Sequence, residues 1–193
     1  MNSDCSTTWT PPAATHDFDQ RDSDPAEPGD EPGDPPPSAT SATIALNFLA
    51  HDVEPPIEGW LDDHLARIAA MAGVCDGQLT VALVDDAHMI QLHQQYKGQA
   101  ATTDVLTFDL RDDPADPIEA DLLICVDEAV RQANERGHET RLEVLLYAVH
   151  GLLHLIGYDD HNPHQATEMH RREDELLTQV GLGPVYHGRG TDP

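Results

Sequence analysis

The stretch A-V-H-G-L-L-H-L-I-G-Y-D-D-H, residues 148–161, constrains this chain more than any other. His150 and His154 stand four residues apart, and on a helix that spacing puts two side chains on one face with Cβ atoms about 5–6 Å apart. Two imidazoles so placed can chelate one ion. Gly157 suits the left-handed residue that ends a helix, and beyond it the chain turns back to a third imidazole at His161. A helix, a stop and a turn must therefore be assembled around one point.

The helix has its own signals. Thr140-Arg141-Leu142-Glu143 fits a capping box, in which a hydroxyl and a carboxylate satisfy the first backbone N–H groups. Leu142, Leu145, Val149, Leu152 and Ile156 recur at three- and four-residue intervals as one apolar stripe. At about 100° per residue His150 and His154 fall to the side of that stripe and need not point into the core. With 12 histidines in 193 residues, chance alone supplies about 0.7 pairs at this spacing, so the pair by itself is a weak signal beside a solvated or core-satisfied histidine cluster. The capped helix, the glycine stop and the third histidine together favour a metal. Three imidazoles with one open position make a catalytic zinc arrangement, whereas structural sites are closed by four ligands. Imidazole also serves nickel, copper and iron, so Zn2+ is the expectation on geometry and availability, with Ni2+ an alternative. Zinc proteases of the H-E-x-x-H type carry their general base directly after the first histidine; that position here is Gly151, which disfavours proteolysis by that route.

Three blocks of the chain resemble one family. H-G-L-L-H-L-I-G-Y-D-D-H is similar to the H-G-x-L-H-L-x-G-Y-D-H signature of the bacterial YbeY family of endoribonucleases and rRNA maturation factors. Tyr96-Lys97-Gly98 with Thr103 to Phe108 resembles its Y-R-G-x-x-x-x-T-[DN]-V-L-S-F block. Ala120 to Ile124, ahead of Glu128-Ala129, resembles its G-D-I-x-I strand and following helix. The blocks come in family order and span roughly residues 43–182.

The resemblance implies His150, His154 and His161 as metal ligands, and a role in activity for Lys97, which stands where the family has arginine. Three departures bear on this. The third histidine comes eleven residues after the first rather than ten, because Asp159-Asp160 replaces a single Asp. A loop absorbs one residue readily, and either carboxylate can compete with His161 as an oxygen ligand. Lys97 offers a compact point charge where arginine offers a planar fork for phosphate. Leu92-His93 replaces the family's Leu-Asn.

Residues 1–41 are different material. They hold eight of the 15 prolines and nine acidic residues against one basic one, a composition that cannot bury enough apolar surface to offset its ordering entropy. They read as a disordered acidic extension, with no basic and apolar regions of a targeting peptide. Residues 42–183 read as one domain and 184–193 as a flexible tail. Strands are expected at Thr43–Leu49, Leu79–Val84, Thr103–Leu110 and Asp121–Val126. The run at Leu79–Val84 is apolar enough for a central strand covered on both faces. Helices are expected at Ile57–Met71, from a cap at Asp85 or Asp86 to Tyr96, at Asp127–Arg136, through the histidine pair, and after Asn162-Pro163. Arg111–Glu119 reads as an acidic loop. The sum is an α+β domain: a small mixed sheet of about four strands, about five helices, and a metal site at the end of a long central helix.

Cys5, Cys75 and Cys125 are odd in number and lack metal spacing, which favours a reduced, cytoplasmic compartment; Cys125 reads as a small core residue. No stretch is long and apolar enough to span a membrane. The net charge of −26, with ten basic residues and Lys97 the only lysine, runs against the basic face of most RNA-binding proteins. Charge describes solubility and association rather than fold. A salty cytoplasm, where repulsion is screened within about 3 Å at 1 M salt, accommodates it, as does recognition delegated to the ribosome or a partner protein. The resemblance implies a single-strand-specific metal-dependent endoribonuclease of 16S rRNA 3′-end maturation and ribosome quality control, with rRNA and the small ribosomal subunit or a ribosome-associated protein as partners. The alternatives are a non-catalytic, metal-containing ribosome assembly factor and a metallohydrolase of peptides or small molecules.

Overall fold

A computed structural model of the chain describes residues 44–50, 57–74 and 76–186, with the side chains of 44–50 left aside. The expected extension over 1–41, Cys5 and Cys75 lie outside the described residues. The elements run β1 (Ile44–Ala50), α1 (Glu58–Met71), β2 (Gly77–Val84), α2 (Asp86–Lys97), β3 (Val105–Asp109), β4 (Ile118–Cys125), α3 (Val126–Arg136), α4 (Thr140–Leu155) and α5 (Pro163–Gln179). This is the α+β arrangement expected, with boundaries shifted by a residue or two except at the start of β4.

The sheet has the order β1-β2-β4-β3, with β1, β2 and β4 parallel and β3 antiparallel on one edge. Register aligns Leu79 with Ala120, Val81 with Leu122 and Leu83 with Ile124. All six are buried on the face that α1 and α4 cover. Leu106 and Leu123, paired across β3 and β4, point the other way and meet Met89 and Leu92 of α2. The two faces are unequally covered, which corrects the expectation for Leu79–Val84. Burial along β2 alternates, with Leu79, Val81 and Leu83 fully enclosed and Thr80, Ala82 and Val84 only half-buried, because α2 shields the far face mainly over β3 and β4.

Local capping is mixed. Asp85 caps α2, its carboxylate accepting the His88 N–H, and Asn162 caps α5 by accepting from His164 and Gln165, with Pro163 at the first helical position. The capping box expected at Thr140 does not form. The N-cap of α4 is Glu139 without a side-chain cap, and Glu143 turns inward, fully buried, 2.7 Å from an Arg136 guanidinium nitrogen and 3.0 Å from His138 Nε2. Burial pushes its carboxyl up while Arg136 and His138 pull against it. The helix does not depend on the cap: a lost cap costs about 1 kcal/mol, whereas each fully buried leucine contributes about 1.5–3 kcal/mol. In α4, Leu145, Leu146, Leu152 and Leu153 are all within 1% of full burial. The helix is enclosed on far more than one stripe, since the sheet lies under it and α1, α3 and α5 pack around it.

Two details fix where α4 ends. Gly151 lies so close to the sheet that a Cβ there would sit 2.6 Å from a Leu122 methyl and 2.9 Å from Thr107 Oγ1. The segment expected as an acidic loop sends Arg111 inward: it donates to Leu155 O at 2.7 Å and pairs with Asp109, placing a cation at the negative end of α4. After α5, the Val185 and Tyr186 N–H groups donate to Asp174 Oδ1 on that helix.

Candidate metal centre

His150 and His154 occupy the last two turns of α4, half-buried where the helix emerges from the core. Their Nε2 atoms are 3.1 Å apart. The other nitrogen of each ring is held by a partner. His150 Nδ1 lies 2.8 Å from Glu173 Oε1 on α5, and His154 Nδ1 lies 3.1 Å from the Tyr158 carbonyl oxygen. A carbonyl only accepts, so His154 donates from Nδ1; a carboxylate likewise takes the proton of His150 Nδ1. In the neutral rings both Nε2 lone pairs then face one another.

A cation shared between them turns the repulsion of those lone pairs into attraction. Two nitrogens about 2.0–2.1 Å from one tetrahedral zinc are separated by roughly 3.3 Å, close to the spacing seen. A histidine ligand whose second nitrogen donates to a carboxylate or a backbone carbonyl is also the usual supporting arrangement of metal sites. Glu173 adds a further sign. It is fully buried, and its Oε2 has no hydrogen-bond partner among the described residues, so its charge calls for compensation beyond the imidazole it touches. Burial lowers the affinity of His150 for a proton, but the Glu173 hydrogen bond and charge, with Asp104 and Asp160, more than offset this and raise its pKa. The same field favours any cation at that point.

The turn after α4 follows from Gly157, at φ +96°, a conformation that only glycine adopts without strain. It brings Asp160 to the histidines, with Oδ2 3.7 Å from His150 Nε2 and Oδ1 3.9 Å from His154 Nε2. His150, His154 and Asp160 form one group able to hold a metal ion; Asp159, Asp160 and His161 form a second that shares Asp160. The structure thus brings two of the three expected histidines together. The His161 side chain is 83% exposed, with its Nδ1 hydrogen-bonded to Asp159; that hydrogen bond, and then the Asp159 charge, raise the imidazole pKa.

Lys97 ends α2, exposed, followed by Gly98 in the left-handed conformation. Helix α2, which carries Lys97, packs on the face of the sheet opposite α4. Each described arginine is paired with a carboxylate; among the described residues Lys97 is the one lysine or arginine outside such a pair. Its neighbour Tyr96 is 55% exposed, edge-on to Phe108 of β3. His93, which replaces the family's asparagine, bonds the Ala101 carbonyl oxygen through Nδ1 at 2.7 Å and ties down the loop after Lys97.

Sequence reasoning missed Glu173. Its signal was a carboxylate at a core position of an amphipathic helix, four residues after Met169 and ahead of Leu176, Leu177 and Val180, all buried. His164 is exposed and His170 stacks on Tyr186 at 3.9 Å; neither joins the site. The glutamate of an H-E-x-x-H protease has no room at Gly151, where even a methyl group meets Leu122 and Thr107.

The model of the family described as endoribonuclease YbeY matches residues 47–181. The chain is 41% identical over 129 residues to an endoribonuclease YbeY of Moorella thermoacetica, covering 61% of this chain and 83% of that one. It is 31% identical over 153 residues to one from Geobacillus thermodenitrificans, covering 72% and 98%. The fold is similar to the solution structure of a Thermotoga maritima protein, with a TM-score of 0.51 at 24% identity over 77% of this chain and 97% of the other.

Proposed function

This chain belongs to the endoribonuclease YbeY family, and on that premise we propose that it is a metal-dependent endoribonuclease. In this reading it hydrolyses phosphodiester bonds of single-stranded RNA in 16S rRNA 3′-end maturation and ribosome quality control. Its partners are rRNA and the small ribosomal subunit or a ribosome-associated protein, in the cytoplasm. The observation that carries the proposal is the pair of Nε2 lone pairs 3.1 Å apart on α4, each ring held from behind. His150 and His154 hold the ion, and the resemblance assigns His161 as the third ligand. The chemistry a divalent ion supplies when bound there is Lewis acidity toward water and a phosphoryl oxygen, with Zn2+ the leading choice and Ni2+ the other.

The protein's own groups do the rest. Glu173 and the Tyr158 carbonyl keep both rings aimed. Lys97, free of carboxylates, stabilises the charge that grows on the phosphate in the transition state. A single strand crossing the edge strand β3 would meet Tyr96 as a stacking surface and Lys97 on one side of the sheet and the histidines on the other. Unpaired bases stack on exposed aromatic rings with little dependence on sequence, in keeping with single-stranded substrate.

The test is turnover on a 16S rRNA fragment, with and without a chelator. We expect cleavage that stops on metal removal, returns with Zn2+ and is abolished together with metal binding in His154→Ala. Cleavage at full rate by metal-free protein overturns the proposal. The pairing of every described arginine with a carboxylate favours one other reading, a non-catalytic ribosome assembly factor that keeps the metal for folding. Metal-loaded protein that binds ribosomal subunits but never cuts RNA would establish it.

A further inference from the structure

We propose that Asp160 contributes a carboxylate oxygen to the ion held by His150 and His154. The inference rests on the metal site of the preceding section and names a ligand that the family signature does not contain.

With both rings neutral, three hydrogen-bond acceptors converge at the end of α4. The Nε2 atoms of His150 and His154 face each other with both Nδ1 protons directed elsewhere. The Asp160 oxygens stand 3.7 and 3.9 Å from them, and among the described residues that carboxylate accepts no hydrogen bond. Acceptors gathered without a donor repel one another, and a shared cation reverses the sign of the interaction.

The two consecutive aspartates are not equivalent. Asp159 Oδ1 accepts the N–H groups of Asp160, at 2.8 Å, and His161, at 3.3 Å, and is hydrogen-bonded to His161 Nδ1. Its carboxylate is used in shaping the turn. Asp160, held by that turn, projects toward the histidines with its oxygens unclaimed. The residue that lengthens this loop relative to the family pattern thus separates two duties: one Asp closes the turn and ties back His161, the other faces the ion. A set of two imidazoles and one carboxylate is an established catalytic zinc arrangement that leaves a position open.

The test is metal affinity, read without reference to RNA. Full-length protein is stripped, and Zn2+ binding is measured by competition with a chromophoric chelator; visible absorption of the Co2+-loaded protein reports the donor set. Wild type, Asp160→Asn, Asp160→Ala, His161→Ala and His154→Ala are compared. Removing a partner that only supports a ligand costs about 10–100-fold in affinity, and removing a direct donor should cost at least as much. We therefore expect both Asp160 variants to bind Zn2+ at least about tenfold more weakly, with a changed Co2+ spectrum and unchanged circular dichroism. Wild-type affinity and spectrum in both Asp160 variants overturn the proposal; if His161→Ala alone is impaired, the metal site stands with His161 in that place. Wild-type affinity in His154→Ala would remove the site itself, and the inference with it.

Discussion

The Nδ1 atom of His150 and Oε1 of Glu173 lie 2.8 Å apart although 23 residues separate them. The contact joins α4 to α5 through a carboxylate that has no exposure to solvent. In Glu173→Gln the amide oxygen can still accept the Nδ1 proton, so the ring keeps its orientation while the charge behind it is lost. Zinc affinity is expected to fall about tenfold, measured by chelator competition. The metal-free variant should melt no lower than wild type, since a buried neutral amide is cheaper to desolvate than a carboxylate. Unchanged affinity would show that the charge of Glu173 plays no part in the site.

Gly151 marks the closest approach of α4 to the sheet. Gly151→Ala forces a methyl group against Leu122 and Thr107, and overpacking of this kind costs about 1–3 kcal/mol. Urea unfolding should show a lower midpoint with an unchanged slope. Stability equal to wild type would mean that the helix shifts freely over β3 and β4.

Lys97 is exposed and makes no ion pair with a described residue, so its replacement should leave folding alone. Lys97→Ala is expected to reduce RNA cleavage by about 100-fold while metal content and melting temperature stay as in wild type. Lys97→Arg should keep or raise the rate, because a guanidinium can grip phosphate with two donors. Equal turnover in wild type and Lys97→Ala would remove the residue from the reaction.

Acid stability has a separate source. Asp86 at the start of α2 accepts two hydrogen bonds from Arg131 on α3, at 2.7 and 2.8 Å, and others from Cys125 and Thr102. The Arg131 hydrogen bonds hold its carboxyl well below the usual range against a smaller opposing effect of burial. A carboxyl whose folded pKa is depressed contributes stability that is full above the unfolded pKa, near 3.9, and is lost progressively as pH falls from there through the lower folded value. Both partners are partly exposed, so the contribution at pH 7 is about 0.5–1 kcal/mol. Asp86→Asn should therefore be slightly less stable than wild type at pH 7, with the difference shrinking steadily as pH falls from about 4 toward 2, as read from urea midpoints. A constant difference between the two across that range would refute the assignment.

Much of this was legible in residue order. Caps at Asp85 and Asn162, the left-handed Gly157, and the spacing of apolar residues are local signals acting over a few residues, and the helices they mark were found in place. Within the expected strand Thr103–Leu110, Val105 and Thr107 alternate with Leu106 and Phe108, and the structure puts the two pairs on opposite sides of β3. The capping box failed because Arg136, at the end of the preceding helix, offers Glu143 a stronger partner than a backbone N–H.

By itself the chain order determined that two imidazoles share a helical face, that a glycine turn follows them, and that acidic groups crowd the turn; each is set by covalent spacing and backbone preference. Only the tertiary structure decided what stands behind and beside those rings. Glu173 reaches His150 because α5 packs against α4, Arg111 reaches Leu155 across 44 residues, and Asp160 rather than Asp159 faces the histidines because the turn's own hydrogen bonds engage the first carboxylate. Contacts of that kind depend on how helices and sheet settle against a common core, and no local pattern of residues encodes the distance between groups that meet only when the core has closed.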